Sequence, residues 1–337
     1  MSKISTSWHS DRLGKDVSVA RWGEVGRPVL IFPTAAADAE EIERFHLVSA
    51  LSEYLEAGRI KVYSVDSVAG QAWLKESNDA RTAAQVQNVF DEFLVEELLP
   101  AIRSDCGGEL QDIIVTGSSI GAFNALALLC RHPEHVAAAI CMSGTYDLTK
   151  FLKGDKTRDW YESSPLDFLE HLPEDEHLEK LRSRFCLLTH GTGKWEEPEQ
   201  SWRAAKELGA RGIPNRVDEW GDEWDHDWPT WRNMLPQYLG EVLDLVESKE
   251  PAAKEASPKD ADSAKPRVIE PRPARAKPSP AKSTAPKASS ATKSSAAKAT
   301  SSSSSAGGKS PRKATSPPPG KSYPAKAGGS KPKKRRK

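Results

Sequence analysis

The chain has 337 residues, with 48 Lys and Arg against 48 Asp and Glu, so its formal net charge is zero. That balance conceals a division: residues 1–250 carry 26 basic and 44 acidic side chains, whereas residues 251–337 carry 22 and 4. Opposite excesses of charge in two segments point to two bodies with different partners, and no apolar run approaches the ~20 residues of a membrane-spanning helix.

The first residues, "MSKISTSWHSDRLGKD", are polar and lack the apolar stretch of a signal peptide. The elements that follow alternate. "DVSVARWG" has the period of a half-buried strand, "RPVLIFPT" is a continuous apolar strand, and "AEEIERFHLVSALSEYLEAG" is predicted as one helix with Ile42, Phe45, Val48 and Leu51 on its apolar face, stopping at Gly58. "RIKVYSVD" is the next strand and "TAAQVQNVFDEFLVEELLPAIRSD" a long amphipathic helix. "IIVTGSSIGAFNALALLC" passes from strand to helix, "HVAAAICMSG" and "RFCLLTHG" are further strands, and short helices are expected between them over residues 147–179. "SWRAAKELGARG", "PNRVDEWG" and "WPTWRNMLPQYLGEVLDLVES" then give a helix, a strand and a closing helix. Continuous apolar strands alternating with helices predict an α/β fold, with a mostly parallel sheet covered on both faces.

The cysteines, Cys106, Cys130, Cys141 and Cys186, show no CxxC or other metal-ligand spacing, and three of them lie in apolar runs. Buried free thiols in a reducing compartment are expected, which suits the cytoplasm. From Pro251 onward the composition turns to Lys, Ala, Pro and Ser with almost no large apolar side chain. Such a segment cannot bury enough surface to offset its chain entropy, so residues 251–337 are expected to be disordered beside a folded domain of residues 1–250.

The junction Gly117-Ser118-Ser119-Ile120-Gly121 is where chemistry is expected. A strand-to-helix turn this sharp brings backbones too close for side chains at its flanks, and it leaves the central Ser119 at a helix N-terminus where free N–H groups can stabilise an oxyanion. The alternative is a plain tight turn. A serine hydroxyl needs a base within reach. Of eight histidines, His226 in "WGDEWDHDWPTW" is best placed, in the loop between the last strand and the last helix, although a surface histidine amid acids would look the same. His190 ends the strand "RFCLLTHG" and is expected to pack or turn rather than react. The acid should follow that strand, where Lys194 stands in the position first searched for Asp. Glu196 is the preferred substitute because its longer side chain can bridge a shifted position, with Glu197, Asp222 and Asp225 as alternatives. For the oxyanion hole the N–H of Ile120 is one expected donor, and Thr34 or Ala35 in the loop after "PVLIFPT" the other. The late tryptophans Trp195, Trp202, Trp220, Trp224, Trp228 and Trp231 either wall an apolar pocket or pack beneath the final helix.

From about Trp8 to Leu239 the chain resembles the esterase D-like esterase branch of the α/β-hydrolase superfamily. The segments that carry the resemblance are "WHSDRLGKDVSVARWG", "RPVLIFPTAAADAEEIERF", "VYSVDSVAGQAW", "TGSSIGAFNALALLCRHP", "MSGTYDLTKF" and "WDHDWPTWRNMLPQYL", in that order. The resemblance implies an α/β-hydrolase fold, Ser119 as nucleophile, His226 as base, carboxylic-ester hydrolysis and no cofactor; a thioester would serve the same expected serine chemistry, and no metal is expected. Lys194 departs from the pattern and leaves the acid open. The tail resembles the Lys/Ala/Pro-rich C-terminal tails of linker histones and of some bacterial nucleoid proteins. Spaced lysines ending in "KPKKRRK" would bind nucleic acid or another polyanion by counterion release, without regard to sequence, and would make the protein nucleoid-associated. Two readings follow: a serine esterase, or an inactive hydrolase scaffold that the tail delivers to a polyanion.

Overall fold

In the computed structural model, which describes residues 2–249 apart from 36, 76–77, 109–111 and 152–155, the apolar runs assemble into one eight-stranded sheet. Its strands are β1 (Lys3–Ser10), β2 (Lys15–Trp22), β3 (Arg27–Phe32), β4 (Ile60–Val65), β5 (Ile113–Ser118), β6 (Val136–Met142), β7 (Phe185–His190) and β8 (Asn215–Glu219). They lie in the order β1-β2-β4-β3-β5-β6-β7-β8. The first two pair antiparallel with each other, β2 runs antiparallel to β4, and every pair beyond is parallel. The tail predicted to be disordered, residues 251–337, lies outside the described residues.

The reason for two-sided burial is visible along β3. Leu30 and Phe32 point to one face, where they join Phe90, Leu126 and Leu208 in a common core. Val29 and Ile31 point to the other, with Leu235, Leu239 and Val242. The first layer draws on α5 (Ala80–Phe93), α7 (Ile120–Arg131) and α11 (Pro198–Ala210), the second on α12 (Trp228–Lys249). All residues of β3, β4, β5 and β6 are buried. Runs with no polar alternation are what a sheet covered on both sides requires. All four cysteines are free thiols, three of them buried.

Three points differ from the sequence reading. The polar N-terminus, to which that reading assigns no element, forms edge strand β1 over residues 3–10, paired along its full length with β2. Only Trp8 and Ser10 of that strand are buried, so it carries little of the apolar signal that marks its neighbours. The single helix expected over residues 39–58 is three short ones, α1 (Glu41–Arg44), α2 (Leu47–Ala50) and α3 (Ser52–Glu56). His46 breaks it in the left-handed region at φ 62°. Phe45 consequently leaves the apolar face and stacks on Trp228 instead, with ring centroids 4.7 Å apart. The third difference is milder. The long helix predicted from residue 82 to 105 passes from α5 through one wide π turn, Leu94–Leu98, into α6 (Leu99–Asp105). Pro100 lacks an N–H and crowds the carbonyl four residues earlier, and a widened turn accommodates both demands.

The remaining helices lie in the connections after β4 and β6. Helix α4 (Val68–Leu74) follows β4. The stretch after β6 makes a short 3₁₀ turn at Leu148–Phe151, then α8 (Arg158–Ser163), α9 (Pro165–Phe168), a second 3₁₀ turn and α10 (Glu176–Arg182), an excursion of short helices as expected.

Candidate active site

The glycines of the 117–121 junction are required by contact. A Cβ on Gly117 would stand 2.4 Å from the carbonyl carbon of Gly121, and one on Gly121 would stand 2.4 Å from the backbone oxygen of Phe32. The turn therefore brings β5, α7 and the end of β3 within backbone contact, which no larger residue permits. Between the glycines, Ser119 has φ 57° and ψ −122°. A non-glycine residue there costs about 1–3 kcal/mol, and such strain persists only where surroundings over-determine it. Three backbone hydrogen bonds do so: Ser119 N–H donates to Met142 O (3.1 Å), and Ser119 O accepts from Ala122 N–H (3.2 Å) and Thr145 N–H (3.1 Å). The half-buried Ser119 thus heads α7 with its side chain in a cavity of about 290 Å³.

That cavity is lined by Ala35, Leu74, Ser119, Ile120, Ser143 and Phe151, and further by Trp195, Glu197 and His226. The structure therefore gathers Ser119 and His226 in one pocket from positions over a hundred residues apart. His226 is held by its backbone, whose N–H donates to Lys194 O at 3.0 Å, and its ring meets the edge of Trp231 with centroids 5.2 Å apart.

Glu196 is the acid beside it. One carboxylate oxygen, Oε2, lies 3.6 Å from His226 Nδ1, within charge-contact range and beyond hydrogen-bond length. The other, Oε1, accepts from Ser143 Oγ at 2.6 Å and from Gly191 N–H at 3.2 Å. Ser143 Oγ in turn accepts from the indole N–H of Trp231 at 3.0 Å. The Glu196 side chain is 1% exposed, so these donors stand in for the water it has lost. Ser143, at φ 45° past the end of β6, was invisible to sequence reasoning, because its partners lie 53 and 88 residues away.

The other acid candidates are placed differently. Asp225 Oδ1 accepts from Lys194 N–H at 2.6 Å, Glu197 heads α11 on the pocket wall, and Asp222 is exposed in the loop after β8. Lys194 carries its exposed side chain outward and contributes its backbone to the clamp on residues 225 and 226. His190 is buried at the end of β7, its Nδ1 paired with Gly191 O at 2.9 Å, and it does not line the cavity. Of the late tryptophans, Trp195 walls the pocket, while Trp228 and Trp231 belong to the core under α12.

On the opposite side, the loop after β3 is fixed by Glu41. Its carboxylate accepts from Thr34 N–H (2.8 Å) and Thr34 Oγ1 (2.6 Å). The Thr34 amide is therefore spent, which leaves Ala35 as the residue of that loop facing the cavity opposite Ile120. Gly70 allows α4 to press on this region, since a Cβ there would meet Ser67 Oγ at 2.4 Å and come within 3.4 Å of Ala35 Cα. Burial pushes the Glu41 carboxyl pKa up from 4.5, against the downward pull of the two Thr34 donors. A raised carboxyl pKa means that the fold is favoured while Glu41 is protonated and loses that contribution as pH rises through the folded value. Urea unfolding should accordingly show wild type losing stability relative to Glu41→Gln as pH rises above 4.5. A difference that does not change with pH would show the carboxyl to be unperturbed.

Strand order, a strained serine between contact glycines and a histidine–acid pair beyond β7 and β8 define an α/β-hydrolase. The family described as Putative esterase matches residues 60–242, more than half of the chain, and the chain belongs to it. The protein is a carboxylic-ester hydrolase. A search of curated proteins found no match in sequence. Among solved structures, a ferulic acid esterase superposes with a TM-score of 0.57 at 16% identity, over 72% of this chain and 98% of that one. The S-formylglutathione hydrolase of Agrobacterium tumefaciens gives 0.55 at 14% identity, over 72% and 94%. Mycobacterium tuberculosis MPT51 (FbpC1) gives 0.56 at 16% identity, over 73% and 99%. At these identities the likeness is one of fold. Among the described residues no helix is long and apolar enough to cross a membrane, and no group of His, Cys, Asp and Glu could hold a metal ion.

Proposed function

We propose that the chain cleaves a carboxylic ester or thioester through Ser119, His226 and Glu196. The observation that carries this reading is the convergence on one cavity of a strained helix-capping serine and a histidine whose Nδ1 faces a buried carboxylate. With Nδ1 turned to Glu196, Nε2 is the nitrogen available to the serine. Ser119 Oγ adds to the acyl carbon as its proton passes to Nε2, and the tetrahedral oxyanion is held by the N–H groups of Ile120 and Ala35. Collapse breaks the bond to the alcohol or thiol, which leaves with the proton from Nε2. Water then enters, gives a proton to Nε2, attacks the acyl-serine and releases the acid, with the proton returned to Ser119. Glu196 keeps the imidazole oriented and stabilises its cationic form, and closure of the 3.6 Å separation on substrate binding would complete that contact.

Labelling by a fluorophosphonate probe tests the assignment: wild type should label and Ser119→Ala should not. Equal labelling of both would place the reactive group elsewhere. The basic segment 251–337 supports a separate proposal from its composition alone, that it holds nucleic acid or another polyanion through phosphate neutralisation. Full-length protein should bind duplex DNA at low salt, with affinity falling by orders of magnitude between about 50 and 200 mM salt. No retention on DNA at low salt would remove this partner.

A further inference from the structure

Trp195 is the anomaly of the pocket. Its backbone lies at φ 62°, where bulky side chains are rare, and its side chain is 79% exposed. Packing does not account for it, because an indole so exposed gains little from burial. Backbone geometry does not account for it either, since glycine would occupy this conformation without strain. The conformation is nevertheless enforced from both sides. Gly193 N–H donates to Trp224 O at 3.0 Å, Lys194 N–H donates to Asp225 Oδ1 at 2.6 Å, Lys194 O accepts from His226 N–H at 3.0 Å, and Glu196 N–H donates to Gly193 O at 3.4 Å. What the strain achieves is to present the indole at the cavity that holds Ser119 and His226.

The two sides of that cavity differ. Ile120, Ala35 and Phe151 belong to an apolar cluster with Trp73, Leu148 and Trp160, a supported wall that includes the expected oxyanion donors. Trp195 belongs to none of the buried clusters and sits on the loop that carries Glu196 and is clamped to His226. In ester cleavage the departing oxygen or sulfur must face the histidine that protonates it. A group on the His226 side of Ser119 therefore belongs to the alcohol or thiol, and a group against the supported wall to the acyl chain.

We propose that Trp195 is the platform for the leaving group, and that the protein selects esters whose alcohol or thiol part carries a flat aromatic or extended apolar group. This rests on the assignment of Ser119, His226 and Glu196. An exposed ring face stacks such a group when it binds, and the stacking strengthens with the area covered. Trp195 acts here as a specificity-determining residue; the bond changes remain those of the serine mechanism.

The test uses full-length wild type, Trp195→Gly and Trp195→Phe with two ester series. The first series is acetates of ethanol, cyclohexylmethanol and 2-naphthylmethanol, alcohols of similar acidity. The second is ethyl esters of acetic, hexanoic and naphthylacetic acids. Trp195→Gly should lower kcat/KM for the naphthylmethyl acetate about tenfold and for ethyl acetate by less than about twofold. Trp195→Phe should restore most of the difference, and relative rates across the acyl series should not change. Tm should stay level or rise in Trp195→Gly, because glycine relieves the left-handed strain. A uniform loss across the alcohols, or a loss that follows the acyl series, overturns the platform. So does a fall in Tm without any change in alcohol preference. Wild type that neither labels with a fluorophosphonate nor turns over any of these esters defeats the serine assignment as well. Labelled, active wild type with unaltered selectivity in Trp195→Gly defeats the platform alone.

Discussion

Replacing Ser119 by alanine is expected to lower kcat on p-nitrophenyl acetate by at least about 10⁴-fold while leaving the thermal midpoint nearly unchanged. The asymmetry follows from where the residue stands. Its hydroxyl is the only atom removed, and its backbone bonds to Met142, Ala122 and Thr145 remain. Ser119→Gly should be equally inactive and somewhat more stable, since glycine adopts φ 57° freely and the serine does not. Turnover that survives in both variants would remove Ser119 from the chemistry, and a large fall in stability would make it a structural residue.

The second large effect concerns the acid. Glu196→Gln should lower kcat by about 10³–10⁴-fold, the scale seen when a triad carboxylate becomes an amide and the imidazole loses its orienting charge. Glu197→Gln, Asp222→Asn and Asp225→Asn should each stay within about threefold, because the carboxylate at 3.6 Å from His226 Nδ1 is that of Glu196. The contrast is sharp because Glu196 and Glu197 are adjacent in sequence and differ in where they point. Glu196 is turned inward onto Ser143, Gly191 and His226, while Glu197 accepts from Gln200 at the start of α11. A reversed ranking, with Glu197 or Asp225 essential and Glu196 dispensable, would relocate the acid and leave the serine assignment standing. Ser143→Ala should show a milder loss with the same sense, since it removes one of two donors to Glu196 Oε1 and leaves the Trp231 indole N–H without its partner.

Much of this architecture is legible in the sequence because burial on both faces writes itself as uninterrupted apolar runs. Strands β3 to β7 announce themselves in that way, and helices α5 and α12 by apolar residues recurring at helical spacing. The serine turn is legible for a related reason: glycines at 117 and 121 are forced by backbone contacts that any side chain would violate. Strand β1 is not legible, because its burial alternates as a strand's should but its inward positions Ile4, Thr6, Trp8 and Ser10 are half polar, which leaves little apolar contrast to read. The helix expected over residues 39–58 failed because its apolar spacing continues across His46, whose left-handed backbone leaves no trace in composition. Glu196 could be ranked first only by chain reach after β7. Its second support, Ser143, comes from another strand end and could be found only by contact. The preference for Ala35 over Thr34 as the proposed oxyanion donor likewise rests on one tertiary bond, donated by the Thr34 amide to Glu41.

The clamp between residues 193–196 and 224–226 has a consequence for how such an enzyme diversifies. The proposed proton-handling pair, His226 and Glu196, travels as a single cassette, fastened largely by main-chain atoms and by the Asp225 carboxylate. The opposing wall, built from α4, α5, the start of α7 and the excursion after β6, shares none of those fastenings. Descendants of this chain can thus remodel what is recognised on one bank of the cleft without retuning the acid–base machinery on the other.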